Sequence, residues 1–326
     1  MTRPTLRLLD GGMGRELQRM GAPFRQPEWS ALALIEAPDD VRTAHRSFIA
    51  AGARIITTNS YALVPFHLGE PRFADRGLEL ARLAGRLARD AASDAASDAA
   101  TDNAEAEQVW VAGSLPPALG SYRPDLFDHD SSVAIHRVLI EGLREHVDVW
   151  LAETQSSIAE VRAVHEALSE NRAGLAKPLW LSFTLSDSPE QGARLRSGEP
   201  VARAVAVALE LGAASVLFNC SQPEVMGQAV IIAQQVIEAA GADVDIGVYA
   251  NAFPVMSEEA QANATLLEIR PDLGPEAYRR WARRWVEQGA SIVGGCCGIG
   301  PEHIARLHTH LVSAGDDLRR STQGLG

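Results

Sequence analysis

The sequence predicts an α/β protein built as a single (β/α)8 TIM barrel, and three observations predict it. Eight short apolar runs rich in Val, Ile and Leu recur at 6–10, 53–59, 109–114, 147–153, 179–184, 214–220, 246–251 and 291–297. Segments with apolar residues at helical spacing lie between them; near-continuous apolar strands divided by helices indicate a parallel sheet covered on both faces. Eight such units in 326 residues match the count and size of this barrel. A doubly wound open sheet is the alternative, because periodicity alone does not report closure.

The first run ends at Asp10, ahead of Gly11 and Gly12, and the helix at 39–51 follows Pro38 with two acids in its first turn. The second run ends at Asn59. Residues 91–107 then repeat an Ala-Ala-Ser/Thr-Asp unit with almost no large apolar side chain, which predicts either an extension of the preceding helix or a mobile loop. The third run ends at Ser114 and precedes a helix at 132–145. The fourth ends at Glu153 and precedes a helix at 158–168. The fifth ends at Thr184, with a helix at 200–211 opening on Pro200, and the sixth ends at Cys220, with a helix at 223–239 opening on Pro223. The seventh ends at Asn251, with a helix at 275–288 opening on Pro275, and the eighth ends on Cys296 and Cys297. The whole of 1–326 reads as one barrel domain with a low-complexity insertion near 91–107 and a flexible tail after about 314.

Composition narrows the function. The chain carries 30 basic and 42 acidic side chains, a net charge of −12, which argues against nucleic acid and anionic membranes as partners. Hydrophobic residues at 46% and charged ones at 22% exclude wholesale disorder. No run approaches the ~20 apolar residues that span a bilayer, and the N-terminus lacks the apolar core of a secretory signal, so a cytoplasmic location is expected. No strand is followed by a dinucleotide or Walker-type glycine loop, so no nucleotide cofactor is expected. His136, His146 and His165 fall on predicted helices and His303, His308 and His310 on the last one; all read as packing or surface residues.

In such a barrel the chemistry sits at the C-terminal ends of the strands. Asp10, Asn59, Ser114, Glu153, Thr184, Cys220, Asn251 and the Cys296–Cys297 pair occupy those ends, and all three cysteines of the chain are among them. Three cysteines make no disulfide framework, and adjacent ones rarely bridge each other. Closing the barrel brings Cys220 toward Cys296 and Cys297, which Gly294, Gly295 and Gly298 frame. Three thiolates select zinc, and with no fourth cysteine the site is expected to stay open, as catalytic zinc sites are. Inert buried cysteines are the alternative.

The set Asp10-Gly11-Gly12-Met13-Gly14, Glu153-Thr154, Asn219-Cys220 and Gly294-Gly295-Cys296-Cys297-Gly298 resembles the homocysteine S-methyltransferase family, from about residue 8 to 304. The resemblance implies one zinc ion on Cys220, Cys296 and Cys297, and methyl transfer to the thiol of homocysteine to give methionine. It implies that Glu153 holds the amino group of the substrate and that Asp10, Gly11 and Gly12 form the first-strand substrate motif. Some relatives place an aromatic residue for the methyl donor where Trp29 stands; Tyr61 and Tyr122 are further candidates. The chain departs from the family at Arg15, where many members carry a small residue, and in the third loop, Gly113-Ser114-Leu115-Pro116-Pro117 and Ser121-Tyr122-Arg123-Pro124-Asp125. The chain is expected to end with its barrel and to carry no folate or cobalamin domain. A direct small-molecule donor is therefore expected: S-methylmethionine, or less efficiently S-adenosylmethionine, with betaine as runner-up. Rival readings are another thiol acceptor or methylated donor, and a non-enzymatic zinc and thiol redox sensor.

Overall fold

The computed structural model describes residues 6–101, 108–170, 176–187, 192–254 and 269–312. Its strands are β1 (Arg7–Leu8), β2 (Ile55–Thr57), β3 (Trp110–Leu115), β4 (Val149–Gln155), β5 (Leu179–Phe183), β6 (Ser215–Asn219), β7 (Asp245–Tyr249) and β8 (Ile292–Val293). They form one parallel sheet in the order β1-β8-β7-β6-β5-β4-β3-β2. A single parallel bridge between Leu9 and Ile55, with the Asp10 N–H donating to Ile55 O at 2.9 Å, joins β1 to β2. The ring is thereby closed, and the open-sheet alternative is excluded.

Helices cover the outside: α1 (Met13–Met20), α2 (Ser30–Glu36), α3 (Pro38–Ala50), α4 (Pro65–Leu68), α5 (Glu70–Thr101), α6 (His129–Leu143), α7 (Ile158–Glu170), α8 (Val201–Glu210), α9 (Pro223–Ala240), α10 (Pro275–Glu287) and α11 (Pro301–Leu307). Strand alternation divides the core in two. On β4, Val149 and Leu151 join Leu9, Ile55, Trp180 and Leu217 inside the barrel, while Trp150 packs outward under the helices. Each such buried side chain stabilises by about 1.5–3 kcal/mol. Two residues beyond Leu151 the same inward phase carries Glu153, so the packing of the barrel aims this carboxylate into the mouth.

Two elements differ from the sequence reading, and a third decides between its alternatives in favour of an extended helix. Helix α6 begins at His129 rather than 132, because the Asp128 side chain caps it by accepting from Ser131 N at 3.0 Å; His146 falls in the turn beyond it. The regular ladder of β8 stops at Val293, and 294–297 leave the strand. There Gly295 N bonds to Asp10 O and Cys296 N to Ala250 O, both at 2.9 Å. The low-complexity stretch continues α5 as far as Thr101. Its repeat of four places Asp94 and Asp98 on one helical face, where they pair with Arg42 and Arg46 of α3, and Ala91 and Ala92 are buried beneath. Residues 102–107 and the tail after 314 lie outside the described residues.

Candidate active site

A cavity of about 230 Å³ opens at the C-terminal ends of the strands and reaches all three cysteines. Cys220 follows β6 in a left-handed conformation, φ 52°, with its N–H donating to Tyr249 O at 3.2 Å. Cys297 O accepts from Ala252 N at 2.8 Å, so the end of β7 and the segment just after it hold both halves of the thiol cluster. Gly298, φ 84°, turns the chain away after the pair. The three sulfurs lie within 4.8 Å of one another. A tetrahedral centre with metal–sulfur bonds of ~2.3 Å needs its sulfurs roughly 3.8 Å apart, so the cluster fits one thiophilic metal ion. Hydrogen bonding with Cys220 and Cys296 holds Cys297 well below the usual thiol range, and Cys296 is held well above it by its bonds to the other two sulfurs and by burial.

Two buried carboxylates face the same cavity. Glu153 Oε1 accepts a short hydrogen bond from Ser114 Oγ, and Oε2 accepts from Tyr249 OH at 3.4 Å. Burial pushes its pKa up to about 7, against the opposing bond from Ser114. Asp10 accepts from Thr57 N at 2.7 Å and Thr57 Oγ1 at 3.0 Å, and burial pushes it up to about 8. Both are held by hydroxyls and amides.

The strand ends are pinned to one another. Asn219 Oδ1 accepts from Thr154 N at 2.9 Å and from Ser182 Oγ at 2.8 Å, and its Nδ2 donates to Thr154 Oγ1 at 2.8 Å. The residue before Cys220 thus locks the residue after Glu153, fixing carboxylate and thiol relative to each other. Among the described residues, the non-glycine residues with positive φ are Trp29, Tyr122, Thr154 and Cys220. Three line the cavity and the fourth adjoins Glu153. Each such conformation costs of the order of 1–3 kcal/mol and persists where its surroundings over-determine it.

Most of the residues singled out from sequence meet here. Asp10, Gly11, Gly12, Trp29, Glu153, Cys220, Cys296 and Cys297 all line the cavity, as do Asn59, Arg15, Tyr61 and Tyr122. Thr184 and Asn251 are not among its lining residues. They buttress the turn after β6, Thr184 by donating to Cys220 O at 3.4 Å and Asn251 by donating its N–H to Ser221 O at 3.1 Å. At Gly12 a Cβ would stand 2.6 Å from Cys296 O, so the close approach that demands glycine is to the cysteine loop itself. Trp29 packs edge-on against Phe24, ring centroids 5.6 Å apart. Tyr122 differs from expectation: Arg196 lies over its ring at 5.0 Å and its hydroxyl donates to Cys220 Sγ at 2.9 Å. A guanidinium already occupies one face of that ring. Arg15 stacks over Phe253 at 5.5 Å, and its charge favours the Cys297 thiolate. Sequence reasoning missed Thr57 and Tyr249. Tyr249 carried a signal, since it lies two residues before Asn251, in the same phase of the seventh run.

Fold and site together define a (β/α)8 barrel with a three-thiol centre at its mouth. The family model described as homocysteine S-methyltransferase matches residues 7–311. The chain is 28% identical to selenocysteine Se-methyltransferase of Brassica oleracea var. italica, over 94% of this chain and 89% of the relative. It is likewise 28% identical to homocysteine S-methyltransferase of Escherichia coli (strain K12), over 92% of this chain and 93% of the relative. The crystal structure of the homocysteine methyltransferase MmuM from Escherichia coli, metallated form, superposes with a TM-score of 0.72 at 27% identity, covering 93% of this chain and 96% of that one. The chain belongs to the homocysteine S-methyltransferase family and is a methyltransferase. No helix of the described residues is long and apolar enough to cross a membrane.

Proposed function

We propose that this barrel holds one zinc ion on Cys220, Cys296 and Cys297 and moves a methyl group from a sulfonium donor to the thiol of homocysteine, giving methionine. The observation that carries the reading is the three-sulfur cluster opening on the same cavity as two buried carboxylates. Bound there, zinc would supply the positive charge that keeps an acceptor thiol deprotonated at neutral pH, where a free thiol with a pKa near ~8.5 is mostly protonated. The metallated form of the Escherichia coli relative supports a metal at this centre.

The residues of this chain do the rest. Glu153, and Asp10 when ionised, grip the ammonium of the amino acid; a charge-assisted bond in a buried site is both strong and directional. Ser114, Tyr249 and Thr57 fix those carboxylates before substrate arrives. The faces of Trp29 and Phe24 offer π surface to an onium group. The apolar side chains of Met13, Phe24, Trp29 and Phe253 in the cavity lining would limit water around the attacking sulfur and the donor methyl. S-methylmethionine is the proposed donor, with S-adenosylmethionine slower and betaine the runner-up. The selenocysteine methyltransferase named among the relatives favours a second reading of the acceptor, in which a selenol takes the place of the thiol.

The test is methionine formation from homocysteine by zinc-replete protein, comparing the three donors and including selenocysteine as a rival acceptor. Turnover with a sulfonium donor supports the reading. Silence with every donor, in protein carrying one zinc, overturns it.

A further inference from the structure

The Tyr122–Cys220 contact does not stand alone. Tyr122 is buried, and its hydroxyl donates to the sulfur at 2.9 Å. Above its ring, Arg196 is locked by Asp187, Nη2 to Oδ2 at 2.9 Å, with the two side chains 6% and 1% exposed. The other oxygen of Asp187 accepts from Gln222 N at 3.0 Å, two residues beyond Cys220. A closed circuit thus runs from the turn after β5, through an ion pair and an aromatic ring, to one sulfur of the cluster, and back to the turn that carries it. None of these groups is needed to fill the barrel, and a buried ion pair is weak evidence of a stabilising role.

A cation over the face of a phenol draws electron density from the ring and makes its O–H a stronger donor. A hydroxyl hydrogen bond to a thiolate takes up part of the sulfur's charge. Groups that hydrogen-bond to metal ligands orient them and tune the metal. The other two sulfurs receive no phenol hydrogen bond among the described residues, so the three ligands are unequal by construction.

We propose that Tyr122, held by the Asp187–Arg196 pair, is a positioning residue that sets the donor strength of Cys220 toward the bound metal. The inference rests on the metal-centre reading above. With one of three thiolates partly neutralised, the ion keeps more of its positive charge for the acceptor sulfur.

The experiment loads native protein, Tyr122→Phe and Tyr61→Phe with cobalt(II) and records the sulfur-to-cobalt charge-transfer band, then titrates each with a competing chelator. Phenylalanine keeps the ring beneath Arg196 and deletes the donor. Tyr61 lines the same cavity, but its hydroxyl bonds to Ser121 Oγ at 2.6 Å. The expected result is a band moved to lower energy in Tyr122→Phe, because a sulfur relieved of the hydrogen bond gives up its electrons more readily, with cobalt held no more weakly than by native protein, at one metal per chain, and the Tyr61→Phe band in place. A merely structural tyrosine would leave the band energy unmoved. An identical band in Tyr122→Phe overturns the inference while leaving the metal centre standing. Native protein that binds no cobalt overturns the metal reading itself. Should Tyr122→Phe fail to fold, Arg196→Lys keeps the charge and loses the planar stack; a smaller shift in the same direction supports the proposal, and no shift overturns it.

Discussion

The two ends of the barrel handle charge in opposite ways. At the N-terminal end every acid named here meets a base or a backbone donor. Asp245 of β7 pairs with Arg7 of β1 across β8 and accepts from Ser291 Oγ at 2.7 Å, while Asp148 pairs with Arg89 at 2.7 Å and accepts from Val111 N at 2.8 Å. At the mouth, Asp10 and Glu153 are more deeply buried and are held by hydroxyls, an amide and a phenol. Their pKa values rise to about 8 and about 7. All four left-handed non-glycine residues lie at the mouth and none at the other end among the described residues. The lower end is arranged for stability. The upper end holds strain and uncompensated acid that a cationic ligand and a metal can relieve.

The largest break in this contrast is removal of a sulfur. Cys297→Ser is expected to abolish stoichiometric zinc and to lower methyl transfer by roughly a thousandfold or more, since metal assistance is worth several kcal/mol. Metal content by elemental analysis beside turnover checks it; full zinc with full activity in this variant would contradict both the ligand assignment and the proposed chemistry.

Next comes the carboxylate. Losing one partner of a buried charge pair costs about 2–5 kcal/mol, so Glu153→Gln is expected to reduce kcat/KM for the acceptor by roughly a hundredfold with little change in zinc content. The native profile of kcat/KM for the acceptor should rise through pH about 7 as Glu153 ionises, and the variant should lose that limb. Stability moves the other way. The folded Glu153 carboxyl holds its proton above the unfolded value of ~4.3, so the folded state binds more protons between there and about 7, and stability falls as pH rises across that window. Metal-free Glu153→Gln should therefore melt higher than native metal-free protein at pH 8. A lower Tm would show that Glu153 stabilises the fold and would remove the contrast at that residue.

At the opposite end, Asp245→Asn keeps the volume and weakens the link to Arg7. Both side chains are about a third exposed, 33% and 32%, so the loss is expected at about 1 kcal/mol or less, with activity unchanged. Denaturant midpoints measure the first and initial rates the second. Lost activity with native stability would mean that the lower end reaches the chemistry after all.

What was legible in the sequence follows the same division. The barrel and its inward phase were readable, because apolar runs repeat and alternation is local. The cysteines and Glu153 were readable because they end those runs. The supports were not: Thr57 beneath Asp10, Tyr249 beneath Glu153 and Arg196 over Tyr122 are bonded across strands or loops, and no local pattern reports such partners. Tyr122 is the clearest case. As a sequence residue it is an aromatic near a pocket, open to a donor role, and only the fold shows a guanidinium on its ring and a thiol at its hydroxyl.

The low-complexity stretch sets the lower limit of the scale. Its alanines Ala91 and Ala92 are buried on the inner face of α5, and its aspartates at i and i+4 meet arginines at i and i+4 on α3. Asp94 bonds to both Arg42 and Arg46, but those guanidinium side chains are 40% and 46% exposed, so solvent and salt screen the pairs. Asp94→Asn is expected to lower stability by about 0.5 kcal/mol at low salt and by less at high salt, with catalysis untouched. Denaturant melts at two ionic strengths would show it. A loss independent of salt would assign the segment's hold on α3 to packing of its alanines and not to its charges.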